Sequence, residues 1–281
     1  MDFASSFRSF GESAIFGDVR PGESPATGFG SASAAEAERT SFAAARRVIR
    51  RVMCDLRVRG SLSFGPRMKS ILYLHGFASS PDGRKVTALK ALLDPDAFRI
   101  VAPDLNVPSF RYLDFAAIAQ AALAAGQQQD PAVVVGSSLG ALAALEASRL
   151  GLAAPLLLIA PAVGFGRRWI EKLPPGDPLS FFHHARGRDM PIHRRFFEEL
   201  ANRKSDAEPP PVQVVVVMGT RDESVPYDLV ESVWAGWEAS GRLASGSRFV
   251  EILDGDHGLV DSAARIAREI VALAGETAGD R

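Results

Sequence analysis

The chain has 281 residues, of which 47% are hydrophobic, enough apolar material for one α/β domain with a tail or lid. Its 32 basic and 33 acidic residues leave a formal net charge of −1, which excludes a general attraction to nucleic acid or to an anionic membrane surface. The single cysteine, Cys54, excludes an intramolecular disulfide, and no apolar run is long enough to span a bilayer. With no secretory-type start, a cytoplasmic location without stable membrane association is expected.

Residues 1–67 differ from the rest. The first 34 are rich in Ser, Gly and Ala, with no helical or strand period, and are expected to be disordered. From about Ala34 to Arg59 the pattern is weakly helical, with Arg46, Arg47, Arg50 and Arg51 clustered on it. Glu36, Glu38 and Asp55 interrupt that charge, so a solvated helix face is favoured over a membrane-binding helix. Met68-Lys69 directly precedes the first strand as a natural start would. The expectation is therefore an extension over 1–67, native or not, and a domain over 68–281.

From Ser70 the chain alternates strand and helix. Strands are predicted at Ser70–Leu74, Phe98–Ala102, Val133–Val135, Pro155–Ala160, Val212–Met218 and Arg248–Leu253. Helices are predicted at Lys85–Leu93, Phe115–Ala125, Leu139–Leu150, Asp228–Ser240 and Ser262–Ala274. Continuous Val/Ile/Leu runs suit strands buried on both faces, and the alternation predicts about six mostly parallel strands between helix layers. Residues 162–211 are too long for a plain connection and are read as an inserted lid of short helices. Its aromatics, Trp169, Phe181, Phe182, Phe196 and Phe197, are expected to pack on the sheet, to contact substrate, or both.

Gly136-Ser137-Ser138-Leu139-Gly140 follows the third strand and opens a helix. The pattern G-x-S-x-G in that context is a nucleophile elbow, in which a tight turn lifts the serine hydroxyl above the sheet. The pentapeptide alone is a weak signal; its strand-to-helix setting makes Ser138 the candidate nucleophile. A serine hydroxyl needs a base beside it, and the base needs an orienting carboxylate. Asp222 follows the fifth strand and His257 the sixth, in the order Ser, Asp, His. Glu223 is a weaker alternative to Asp222, and Asp254 and Asp256 are expected to shape the turn around His257. Asp104 is expected to cap or pack the next segment, and Ser137 to point away from the site. His183, His184 and His193 match no metal-site spacing, and surface or substrate contact is expected of them instead of ligation.

An acyl-transfer site also needs two donors for the developing oxyanion. The backbone N–H of Leu139 is one candidate and that of Phe77, in the loop after the first strand, the other, with Ala78 as fallback. Gly76 lets that loop approach the serine, and His75 is expected to hold it by hydrogen bonding. Gly136 and Gly140 supply the small positions of the elbow.

Tyr73-Leu-His-Gly-Phe-Ala-Ser-Ser-Pro81 resembles the opening of the small bacterial YqiA/YcfP-type esterases of the α/β-hydrolase superfamily. Gly136–Gly140, Ala160–Val163, Gly219–Glu223 and Gly255–Gly258 are similar to their elbow, the segment after the next strand, the acid loop and the histidine loop. The resemblance runs from about Met68 to Ala274 and implies hydrolysis of a small-molecule carboxylic ester or thioester without metal or organic cofactor. The 162–211 insertion reads as longer and more basic than that family pattern. Competing expectations are the same triad serving an acyltransferase, lyase or perhydrolase, and a non-catalytic binding protein on this fold.

Overall fold

The computed structural model describes residues 68–203 and 206–276, so the expected N-terminal extension lies outside the described residues. Six parallel strands form one sheet: β1 (Lys69–Leu74), β2 (Phe98–Val101), β3 (Val133–Ser137), β4 (Leu156–Ile159), β7 (Val214–Gly219) and β8 (Arg248–Ile252). Their spatial order is β2-β1-β3-β4-β7-β8. Each lies within two residues of the span predicted from its apolar run.

Strand side chains alternate between two cores. Leu72, Leu74, Val134, Leu156, Leu158, Val214 and Val216 face one side, packed against α2 (Phe115–Gln129), α3 (Leu139–Arg149) and α6 (Tyr227–Ala239). Ile71, Tyr73, Val133, Val135, Leu157, Ile159, Val215 and Val217 face the other, packed against α1 (Arg84–Leu92) and α7 (Ala263–Glu276). Both faces of the central strands are covered, which is why β4 and residues 214–218 of β7 are apolar at every position instead of at every second one.

The chain moves outward from β1 to β2, then crosses back to β3 and proceeds in the opposite direction. The loops after β1 and β3 therefore part at the carboxyl edge between adjacent strands. Such a switch point opens a crevice where parallel sheets place their sites.

The insertion between β4 and β7 corrects the expectation of a purely helical lid. It holds α4 (Phe165–Ile170) and α5 (Arg195–Ala201), but between them lies an antiparallel hairpin, β5 (Leu179–His183) with β6 (Arg188–Ile192). Its aromatics are mostly core. Trp169, Phe181, Phe196 and Phe197 are buried, and only Phe182 is exposed. They surround Phe77, whose ring centroid is 5.4 Å from Phe181, 5.9 Å from Phe197 and 6.0 Å from Phe196. The expected packing is seen for these rings.

Truncating Phe197 in this nest removes a fully buried ring. Phe197→Ala is expected to lower the unfolding free energy by about 3–5 kcal/mol in urea titrations. Gly140→Ala tests the packing of α3 on β1, because a methyl group there would lie 2.0 Å from the Leu74 carbonyl oxygen. Backbone atoms yield poorly, so a loss of about 3 kcal/mol or more is expected.

Candidate active site

The elbow is built by sterics. Ser138 joins β3 to α3 with φ 54° and ψ −115°, a left-handed backbone that L-residues rarely adopt. Several bonds hold it there. Its N–H donates to the Ile159 carbonyl at 2.9 Å, and its own carbonyl accepts from Ala141 and Ala162 at 3.0 and 3.2 Å. A Cβ on Gly136 would lie 2.6 Å from the Cα of Ala141, so the helix could not turn back so closely over any larger residue.

His257 and Asp222 must reach Ser138 from strands farther along the sheet. Glycine makes that approach possible: a Cβ on Gly219 would lie 2.3 Å from the Gly255 carbonyl oxygen. That same carbonyl accepts from the Arg221 N–H at 2.9 Å, pinning the loop after β8 onto the loop after β7.

The three predicted side chains meet. His257 Nε2 lies 3.2 Å from Ser138 Oγ, and His257 Nδ1 lies 2.8 Å from Asp222 Oδ2. The Asp222 side chain is fully shielded from solvent. Its second oxygen accepts from the N–H groups of Ser224 and Val225, both at 2.8 Å. A buried carboxylate with both oxygens engaged is fixed in position and desolvated at low cost. With Nδ1–H donated to the carboxylate, Nε2 is left as the acceptor facing the serine hydroxyl. Ser138 and His257 remain partly exposed, so a substrate can reach them.

The other candidates fall elsewhere. Glu223 is exposed, and His257 engages its neighbour Asp222 instead. Asp254 pairs with Arg221 at 2.8 Å, and Asp256 accepts from the Leu259 N–H at 2.7 Å, so both shape loops. Asp104 accepts from the Asn106 backbone N–H at 2.9 Å within its own turn. His193 contacts Asp177 at 2.9 Å on the lid, and His183 is buried against Phe110. His184 donates its backbone N–H to the Ala78 carbonyl at 2.9 Å, tying the hairpin turn to the loop after β1. Among the described residues no group of three or more His, Cys, Asp or Glu side chains could hold a metal ion.

The loop carrying Phe77 is held by His75. Its Nδ1 lies 2.9 Å from the Gly76 carbonyl, and its Nε2 accepts from the Leu105 N–H at 2.9 Å. That pattern requires a neutral ring protonated on Nδ1. Burial also lowers the His75 pKa, favouring the same form. The 3.4 Å approach of Asp104 to Nε2 would call for a charged ring, but it is longer and lies at the exposed edge. The shorter Leu105 bond decides for the neutral tautomer. Gly76 packs close beneath the elbow: a Cβ there would lie 3.2 Å from Ser138 Cβ. The backbone N–H groups of Phe77 and Leu139 donate to no hydrogen-bond partner among the described residues.

Two basic residues near this site escaped the sequence reading. Arg168 on α4 donates to the Ser224 carbonyl at 3.2 Å, linking the lid to the Asp222 loop. Lys85 on α1 donates to Ser137 Oγ at 2.9 Å, so Ser137 does point away from the cleft, as expected.

Solved structures share this architecture at low identity. Est1E from Butyrivibrio proteoclasticus, bound to ferulic acid, superposes with a TM-score of 0.58 at 14% identity, covering 74% of this chain and 91% of that one. Alpha/beta hydrolase domain-containing protein 10 from mouse gives 0.57 at 18% identity, covering 76% and 92%. The esterase domain of a Rhodothermus marinus protein gives 0.53 at 21% identity, covering 73% and 86%. At these identities the likeness is one of fold, and the fold is that of the α/β hydrolases. No curated protein matches the sequence. The model of the uncharacterised protein family UPF0227 matches residues 70–274, the stretch that carries the YqiA-type motifs, and the chain belongs to that family.

Proposed function

We propose that this chain is a serine hydrolase that cleaves a small-molecule carboxylic ester or thioester through an acyl-enzyme. The observation that carries the reading is the unbroken contact from Ser138 Oγ through His257 to Asp222, at 3.2 and 2.8 Å. In this reading His257 Nε2 takes the Ser138 proton as Oγ attacks the acyl carbonyl, and Asp222 stabilises the imidazolium that forms. The Phe77 and Leu139 amides stabilise the oxyanion, each worth about 2.7–4 kcal/mol in the transition state. His257 then protonates the departing alcohol or thiol. A water deprotonated by His257 attacks the acyl-serine and releases the acid.

The flanking geometry supports the same roles. The two unengaged amides lie on loops that Gly76 and Gly140 bring together at the elbow. The neutral His75 ring holds one of those loops, so its role here is positional. The lid aromatics packed around Phe77 support the loop that carries its amide.

Ser138→Ala is expected to lower kcat on a chromogenic short-chain ester by about 10⁴-fold or more. Retention of the wild-type rate would remove Ser138 from the mechanism. His75→Ala leaves the Leu105 N–H without its acceptor, so stability is expected to fall by about 1–3 kcal/mol, together with kcat. The folded-state pKa of His75 is depressed, so its contribution is complete above the unfolded value of about 6.5. It is lost as pH falls through the lower folded value. Urea unfolding across that range is expected to show a smaller acid-side decline in His75→Ala than in wild type.

A further inference from the structure

Lys85 is in an unfavourable place for a lysine. It occupies the second position of α1, beside Arg84, and the first turn contains no acidic residue. Helix N-termini favour negative charge, so this placement works against the helix dipole. Burial adds to the cost by desolvating the ammonium. What the ammonium touches accounts for its position. Nζ donates to Ser137 Oγ at 2.9 Å and lies 3.5 Å from the His257 carbonyl oxygen. Ser137 precedes the nucleophile in the chain, and its hydroxyl is also hydrogen-bonded to the buried Tyr73 phenol. The groups whose charge bears on Lys85 are Asp222, from the loop after β7, and Asp256, beside His257 in the loop after β8.

We propose that Lys85 is a positioning residue, whose ammonium clamps the end of β3 to the histidine loop and so sets the spacing between Ser138 and His257. This inference rests on the serine-hydrolase reading. β3 and β8 are separated in the sheet by β4 and β7, so neither strand fixes the other directly. The link behind the cleft runs from Ser137 through one cation to the backbone of the base itself. Misplacing a reacting group by about 1 Å can cost on the order of 10²-fold in rate. Charge-assisted hydrogen bonds are roughly twice as strong as neutral ones, so the charged amine is the better clamp. Desolvation brings the Lys85 pKa down to about 8, which places the change to the weaker, neutral form within a measurable range.

The test is a set of steady-state and pH profiles on a chromogenic ester for wild type, Lys85→Met, Lys85→Arg, Ser137→Ala and Ser138→Ala, each with urea unfolding. Lys85→Met keeps the stem and removes the cation. Its kcat is expected to fall about 10–100-fold with KM within about twofold. Wild-type kcat is expected to decline as pH rises through about 8. Lys85→Arg, permanently charged, is expected to recover part of the rate and lose that decline. Ser137→Ala cuts the same link from its other end and keeps the fold if Lys85→Met does not. It is expected to lower kcat about 3–10-fold, the range set by the loss of one hydrogen bond. Wild-type kcat in Ser137→Ala, or in folded Lys85→Met with an unchanged pH profile, would overturn the clamp. Ser138→Ala separates the two claims: if it remains active, the hydrolase reading fails; if it is inactive while the clamp variants match wild type, only the clamp fails.

Discussion

A methyl group at position 140 would press to 2.0 Å from the carbonyl oxygen of Leu74. That close approach of α3 to the end of β1 is the constraint from which the site follows. It forces the turn after β3 to be tight and puts Ser138 in a left-handed backbone that costs about 1–3 kcal/mol. The strain persists because the surroundings over-determine it. One bond to β4 and two to the Ser138 carbonyl leave the residue no relaxed alternative. The same tightness brings the loop after β1 against Ser138, with Gly76 as the point of contact. The Ser138 turn and the placement of the Phe77 loop are thus consequences of one packing event between a helix and a neighbouring strand.

His257 arrives by a different device. β8 is the far edge of the sheet, and its loop must cross back over the ends of β7 and β4. Gly219 and Gly255 let two loops run nearly in contact, and the Arg221 N–H bonds one to the other. Asp222 is then buried with each oxygen engaged, so its orientation is set by the fold and not by solvent. The lid joins the arrangement at two points, through Arg168 to the Asp222 loop and through His184 to Ala78. Its aromatic nest around Phe77 makes the lid part of the core that supports the loop after β1.

Much of this was legible in the sequence, for identifiable reasons. The sheet strands are doubly buried, so their apolar runs have sharp ends. The site residues follow strands, so their chain order could be read as spatial convergence. The β5–β6 hairpin was not legible. Arg188–Ile192 contains Arg, Asp, Met and Pro, a composition that argues against a strand, and Phe182 turns an apolar face to solvent. The lid rings left two readings open because aromatics near a cleft suit both packing and binding; their burial shows the packing. Lys85 gave no signal at all. A basic residue at a helix start reads as a solvated face, and its partners, Ser137 and His257, are 52 and 172 residues away along the chain.

The central claim is that Ser138 is a nucleophile activated by its contact with His257. Covalent capture tests it most directly. Native protein would be treated with a fluorophosphonate, digested, and the adduct located by peptide mass spectrometry. The account predicts a single stoichiometric adduct on Ser138, abolished in Ser138→Ala and strongly slowed in His257→Ala. An adduct on another residue, or no adduct under conditions that label a known serine hydrolase, would contradict it.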